Sequence, residues 1–234
     1  MSDIETTDRP PVFLTLFGGF RMQIGSRKAA AAPRKAEALL AYLSMQDGYS
    51  APRDAIIDLL WTDRGVEQAR HSLRQTMFVL RRIVGTGVFT DDTQAIGFLS
   101  GSIKTDVGEF RALAGSPARS DLAVAAQVYT GPLLDQFPSV AADFDQWLER
   151  ARSDLTNSAI EMLVRLSHMC FADGHVALGV STAERMLALD PLREDSHRAL
   201  MLAYQQAGRR ADAIRQSNIC RDTLRREWGA NPCR

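Results

Sequence analysis

Residues 67–84, EQARHSLRQTMFVLRRIV, decide how the first half of the chain is read. At 100° per residue Ala69, Leu73, Met77, Leu80 and Val84 fall within about 80° of arc, so the spacing predicts a helix with one apolar stripe turned to a core. The opposite face carries His71, Arg74, Gln75, Phe78 and Arg82, flanked by Arg70 and Arg81, and holds no acid after Glu67. Arg, Gln and His side chains donate to base edges and phosphates, and a helix about 10 Å wide fits the major groove of B-form DNA. A merely solvated basic face is the competing interpretation, of equal weight on composition alone.

Outward from this helix the pattern is mixed α and β. VFLTLFGGFRMQIG predicts two strands, Val12 to Phe17 and Phe20 to Ile24, around the turn dipeptide Gly18-Gly19. Pro33 opens RKAEALLAYLSM, in which Ala36, Leu39, Leu40 and Leu43 share a face, and Gly48 ends it. Ser50 or Ala51 followed by Pro52 is expected to start a short helix, RDAIIDLLW, with Ile56, Leu59 and Leu60 inward. Beyond Gly85 and Gly87 the period shortens: VFTDD, TQAIGFL and SIKTDV are extended segments expected to close the unit as a hairpin. Three helices between strand segments thus occupy residues 12–105, after a tail, residues 1–11, expected to be disordered.

From Asp106 onward the pattern is helical throughout, so residues 106–234 are expected to be an all-α domain. Leu166 and Leu200, Cys170 and Tyr204, Gly174 and Gly208, Gly179 and Ala213, and Ala183 and Ser217 are each 34 residues apart, the period of a tetratricopeptide helix pair. The glycines fit tight interhelix turns, the small residues fit close helix approach, and Asp190-Pro191 ends the first unit. The helices from 106 to about 157 are expected to cap this array.

Charge separates the halves. The whole chain balances 28 basic against 28 acidic side chains, which taken as an average argues against a nucleic-acid partner. From Arg21 to Val84, however, 11 basic residues face 6 acids, an excess of +5, whereas residues 106–234 hold 15 against 17. That basic excess is the expected electrostatic footprint of a phosphate-binding module. Cys170, Cys220 and Cys233 fit neither a zinc site nor a disulfide framework and are read as free thiols. No apolar run reaches the length of a membrane span and the N-terminus has no export pattern, so a cytoplasmic protein without membrane contact is expected. No P-loop, dinucleotide glycine motif, His-Glu-x-x-His or Gly-x-Ser-x-Gly occurs, and His71, His168, His175 and His197 are scattered. No catalytic residue, cofactor or metal is expected, and the protein is read as a non-enzyme.

The runs LTLFGGFRMQIG, PRKAEALLAYLSM, LLWTDRGVEQARHSLRQTMFVLRRIV, FTDD and TDVGEF resemble the OmpR-type winged helix of bacterial transcriptional activators of the antibiotic-regulatory-protein group. YTGPLLDQF, FDQWLERAR and the repeats ending LRREWGANP resemble the bacterial transcriptional activation domain that adjoins it there. The resemblance covers about residues 12–232 and implies a winged helix-turn-helix at 12–105 and a tetratricopeptide-like activation domain at 106–234. It implies that helix 67–84 enters the major groove, that about Val88 to Leu99 form the wing, that promoter DNA is bound at direct repeats, and that RNA polymerase and a second protomer are partners. It also implies that some members continue past the segment matching EWGANP. The wing departs from the pattern: FTDDTQAIGFLSG is acidic at its tip and has no Arg or Lys before Lys104, so a phosphate-gripping role is not carried over to it.

Helix geometry singles out Arg74 and Gln75 for base edges, with Arg70, His71, Arg81 and Arg82 on phosphates or flanking bases, and Arg34, Lys35 and Arg53 near helix starts adding backbone contacts. Phe78 either touches a thymine methyl or packs on the loop before the helix; the burial tendency of aromatics favours the loop. The alternative from a different class is a helical-repeat interaction module whose winged helix is a protein-contact surface, the regulatory front end of a longer protein.

Overall fold

The computed structural model describes residues 11–90 and 92–228, with side chains to residue 226. The expected disordered tail falls on residues almost wholly outside these, as does Cys233. The chain divides into two compact units: one is the chain up to Phe110 with Val128–Ser153, the other Arg111–Gln127 with residues from Asp154 onward.

The first unit begins with a hairpin of β1 (Val12–Thr15) and β2 (Arg21–Ile24), paired antiparallel from Val12↔Ile24 to Thr15↔Arg21. Val12 and Leu14 point inward and Phe13 outward, as a half-buried strand requires. Gly18 (φ 69°) and Gly19 (φ 129°) turn the chain through backbone regions that residues with a Cβ avoid. β3 (Arg27–Lys28) adds to β2, and the first helices follow: α1 (Arg34–Met45), then a short strand β4 (Ser50–Pro52), α2 (Arg53–Leu60) and α3 (Val66–Val84).

The expected closing hairpin forms, with Leu99 N–H donating to the Val88 carbonyl at 2.8 Å and Thr90 N–H to that of Gly97 at 2.9 Å, but its segments also pair beyond it. β5 (Ala95–Gly97) pairs antiparallel with β4, through Ala51↔Ile96, and a single bridge joins Phe89 to Phe98. β6 (Ile103–Thr105) leaves this pair and runs parallel to β1, completing a sheet of order β3-β2-β1-β6. Ser50-Ala51-Pro52, expected to lead into a helix, is therefore a strand: three residues are too few to show a period, and Pro52 ends it where the helix begins. The Asp106 carboxylate locks β6 to β1 by accepting the backbone N–H groups of Leu16, Phe17 and Val107 at 2.8–2.9 Å. Burial pushes its carboxyl above the usual range, against the pull of those three bonds.

Residues 128–153, beyond the division expected at 105, pack on this sheet and on α1. Leu134 N–H donates to the Leu16 carbonyl at 2.7 Å, and Gly18 N–H donates to that of Pro132 at 2.9 Å. Phe17 is enclosed by Phe110 and Tyr129, with ring centroids 5.6 and 4.7 Å away, and Trp147 meets Tyr42 edge to face at 5.2 Å.

The elements that remain are helical, as the period predicts: α4 (Asp106–Ala114), α5 (Arg119–Val128), α6 (Ala142–Ala172), α7 (Val176–Leu189), α8 (Glu194–Gln206) and α9 (Arg210–Trp228). In the second unit the 34-residue repeat is structural. Gly174 (φ 77°) follows α6 and Gly208 (φ 71°) follows α8. His175 N–H reaches the Cys170 carbonyl at 2.7 Å, and 34 residues on Arg209 N–H reaches that of Tyr204 at 2.8 Å. Each is a helix C-terminus closed by a left-handed glycine. Gly179 lets α7 approach α6: a Cβ there would lie 2.7 Å from the Phe171 ring, and Ser167 Oγ donates to the Gly179 carbonyl at 2.9 Å. His197 is a satisfied core residue, with Nε2 on the Pro191 carbonyl and Nδ1 on Gln216.

Replacing either turn glycine forces a Cβ into the left-handed region, at about 1–2 kcal/mol. Gly174→Ala and Gly208→Ala are each expected to lower stability by that amount in urea unfolding; unchanged midpoints would contradict the assigned turn geometry.

Candidate nucleic-acid interface

α3 is set between two glycines, Gly65 at its start and Gly85 (φ 95°) at its end, and packs on α1 and α2. Its buried residues are Ala69, Leu73, Met77, Leu80 and Val84, the stripe that the spacing predicts. His71, Arg74, Gln75, Phe78 and Arg82 are exposed and Arg81 is half-buried. Among the described residues, the His71, Arg74 and Gln75 side chains have no hydrogen-bond or ion-pair partner. Arg81 and Arg82 occupy the last turn, where positive charge is favourable at the carbonyl end of the helix.

The other predicted contacts are engaged within the fold. Arg70 meets Glu67 at 3.3 Å and Asp54 at 4.0 Å. Arg34 pairs with Glu37 at 2.9 Å and lies 5.8 Å from the centre of the Phe137 ring. Lys35 donates to the Leu60 carbonyl at 2.6 Å, closing the C-terminus of α2, and sits over Trp61 at 5.5 Å. Burial lowers the Lys35 pKa and nearby Asp63 opposes this. Arg53 donates from Nη2 to the Asp92 carbonyl at 3.0 Å. The three-residue spacing of Arg34 with Glu37 and of Glu67 with Arg70 is a signal in the sequence; it offers none for the carbonyls, rings and the Asp54 carboxylate brought from other elements.

Phe78 does not pack on the loop before the helix: it is 58% exposed, with the Arg82 guanidinium 5.8 Å from its ring centre. One turn along the same face, Arg82 is a nearer cover than the loop, and the pair leaves an aromatic face in solvent. Arg74 also lines an open cavity of about 430 Å³, together with Arg53, Asp54, Ile57, Arg70, Leu73, Thr93 and Gln94. No group of three or more metal-ligating side chains occurs among the described residues. No helix among them is long and apolar enough to cross a membrane.

Three packed helices whose last presents an exposed basic face, flanked by a strand pair and accompanied by paired helices, define a winged helix-turn-helix joined to a tetratricopeptide-like helical domain. Residues 105–234 match the model of the bacterial transcriptional activator domain, and the chain belongs to that family. It is 27% identical over 220 residues to the regulatory protein AfsR of Streptomyces coelicolor, covering 89% of this chain and 22% of that protein. It is 23% identical over 247 residues to the transcriptional regulatory protein MoaR1 of Mycobacterium tuberculosis, covering 98% and 78%. The chain thus spans about a fifth of AfsR and most of MoaR1. The solved structure of Mycobacterium tuberculosis EmbR in complex with a low-affinity phosphopeptide has the same fold, with a TM-score of 0.74 at 22% identity over 96% of this chain and 62% of that one. The resemblance to transcriptional activators of the antibiotic-regulatory-protein group is borne out, and the two relatives are named a regulatory protein and a transcriptional regulatory protein.

If the inward face of α3 carries stability and the outward face does not, truncations on the two faces separate. Leu73→Ala is expected to cost about 2–5 kcal/mol, and Gln75→Ala less than about 0.5 kcal/mol, in chemical denaturation. Similar losses at both positions would contradict the facing.

Proposed function

We propose that the chain is a sequence-specific DNA-binding transcriptional activator that acts by binding rather than by catalysis, in the cytoplasm. The carrying observation is the outward face of α3, where Arg74, Gln75 and His71 are without partners among the described residues and no acid follows Glu67. In this reading residues 12–105 are the DNA-facing part, with α3 in the major groove of promoter DNA. Residues 106–234 are the activation domain, meeting RNA polymerase, a second protomer on direct repeats, or a signalling partner. Arg74 and Gln75 read base edges: an arginine fork fits guanine and a glutamine amide fits adenine. His71, Arg81 and Arg82 contact phosphates or flanking bases, and Phe78 offers its exposed ring to a thymine methyl. Arg34 and Lys35, engaged with Glu37 and the α2 terminus, serve chiefly to hold α1 and α2 in place.

The second reading, a winged helix used for protein contact, draws on the wing, which has no Arg or Lys from Val88 to Leu99. Retardation of promoter fragments at varied salt separates the two. The activator reading expects a sequence-specific complex whose log affinity falls steeply with log salt. Arg74→Ala is expected to weaken operator binding by about 1–3 kcal/mol while leaving non-specific binding nearly unchanged. An unchanged operator affinity would remove α3 as the reading element.

A further inference from the structure

The 430 Å³ cavity beside α3 is lined by three arginines, Arg53, Arg70 and Arg74, against one acid among the described residues, Asp54. Arg53, the first residue of α2, is held from two directions by the wing: its Nη2 donates to the Asp92 carbonyl at 3.0 Å, and its backbone N–H donates to the Gln94 carbonyl at 2.9 Å. Its enclosed Nε–H has no acceptor among the described residues. A buried donor left unmet is costly, more so on a cation. Arg70, which also lines the cavity, is 49% exposed and among the described residues meets the exposed carboxylates of Glu67 and Asp54, at 3.3 and 4.0 Å. Such surface pairs contribute about 0–1 kcal/mol and exchange readily for a better acceptor. Arg74 lines the cavity and belongs also to the outward face of α3.

We propose that this notch seats one backbone phosphate of duplex DNA, gripped by Arg53 and Arg70, and that the wing contributes by positioning Arg53 rather than by a basic residue of its own. The inference rests on the DNA-binding reading above and adds the phosphate seat to it. A phosphodiester suits the notch because a guanidinium offers a planar fork to anionic oxygens. Continuity with Arg74 assigns the phosphate to the strand beside the groove that α3 enters. Asp92 then acts through its backbone carbonyl, while its carboxylate accepts the Gln94 N–H at 2.8 Å.

The test compares Arg53→Gln and Arg70→Gln with the unaltered protein on an operator duplex and on a random-sequence duplex, across a salt series, with folding monitored by circular dichroism. Each variant is expected to lose roughly five- to tenfold on both duplexes alike, and the slope of log affinity against log salt to fall by about 0.9. Arg70 is exposed, so its variant carries the test if Arg53→Gln unfolds. Unchanged affinity and slope in a protein that still binds the operator would overturn the seat while leaving the DNA reading intact. A loss confined to the operator would make these base contacts and equally overturn it. Failure of the unaltered protein to bind either duplex would remove both readings. Inorganic phosphate is expected to displace duplex no better than chloride at matched ionic strength; preferential displacement would assign the notch to free phosphate instead.

Discussion

The burial of one stripe of α3 is the constraint on which the rest of the first unit depends. Ala69, Leu73, Met77, Leu80 and Val84 are all within 6% of full burial, and the removal of that surface from water holds the helix in one rotation about its axis. Once that rotation is fixed, every residue about 180° away is solvent-facing whether or not it has a use. The functional face is thus a consequence of the core face. The sequence then decides what is presented there, and it presents donors without acids.

That constraint was legible because it is local. The 3.6-residue period predicts α1, α2 and α3 nearly to the residue, and the 34-residue offset identifies Gly174 and Gly208, whose two turns close with matching bonds. What stayed illegible is non-local. Nothing in Ser50-Ala51-Pro52 announces a strand, because its partner, Ala95–Gly97, lies far along the chain and supplies the reason for pairing. The parallel pairing of β6 with β1 is accompanied by the Asp106 carboxylate meeting the backbone of Leu16 and Phe17, contacts across 90 and 89 residues.

The candidate site divides in the same way. Exposure of His71, Arg74 and Gln75 follows from helix geometry, so periodicity found them. The engagement of Lys35 with the Leu60 carbonyl, of Arg34 with Phe137 and of Arg53 with Asp92 depends on which elements come together, and residue type alone gave each of them the same weight as a free arginine. Phe78 shows the limit of a general tendency: aromatics are usually covered, but on this helix the available cover is Arg82 on the same face, which leaves the ring accessible.

The central claim is that α3 lies in the major groove, and guanine N7 is the atom that reports it most directly, because it is exposed in the major groove alone. Dimethyl sulfate footprinting of the complex with an operator fragment measures its accessibility base by base. The account predicts protection of N7 at guanines within the bound site, lost at one position in Arg74→Ala. A stable complex in which every N7 stays reactive would contradict it.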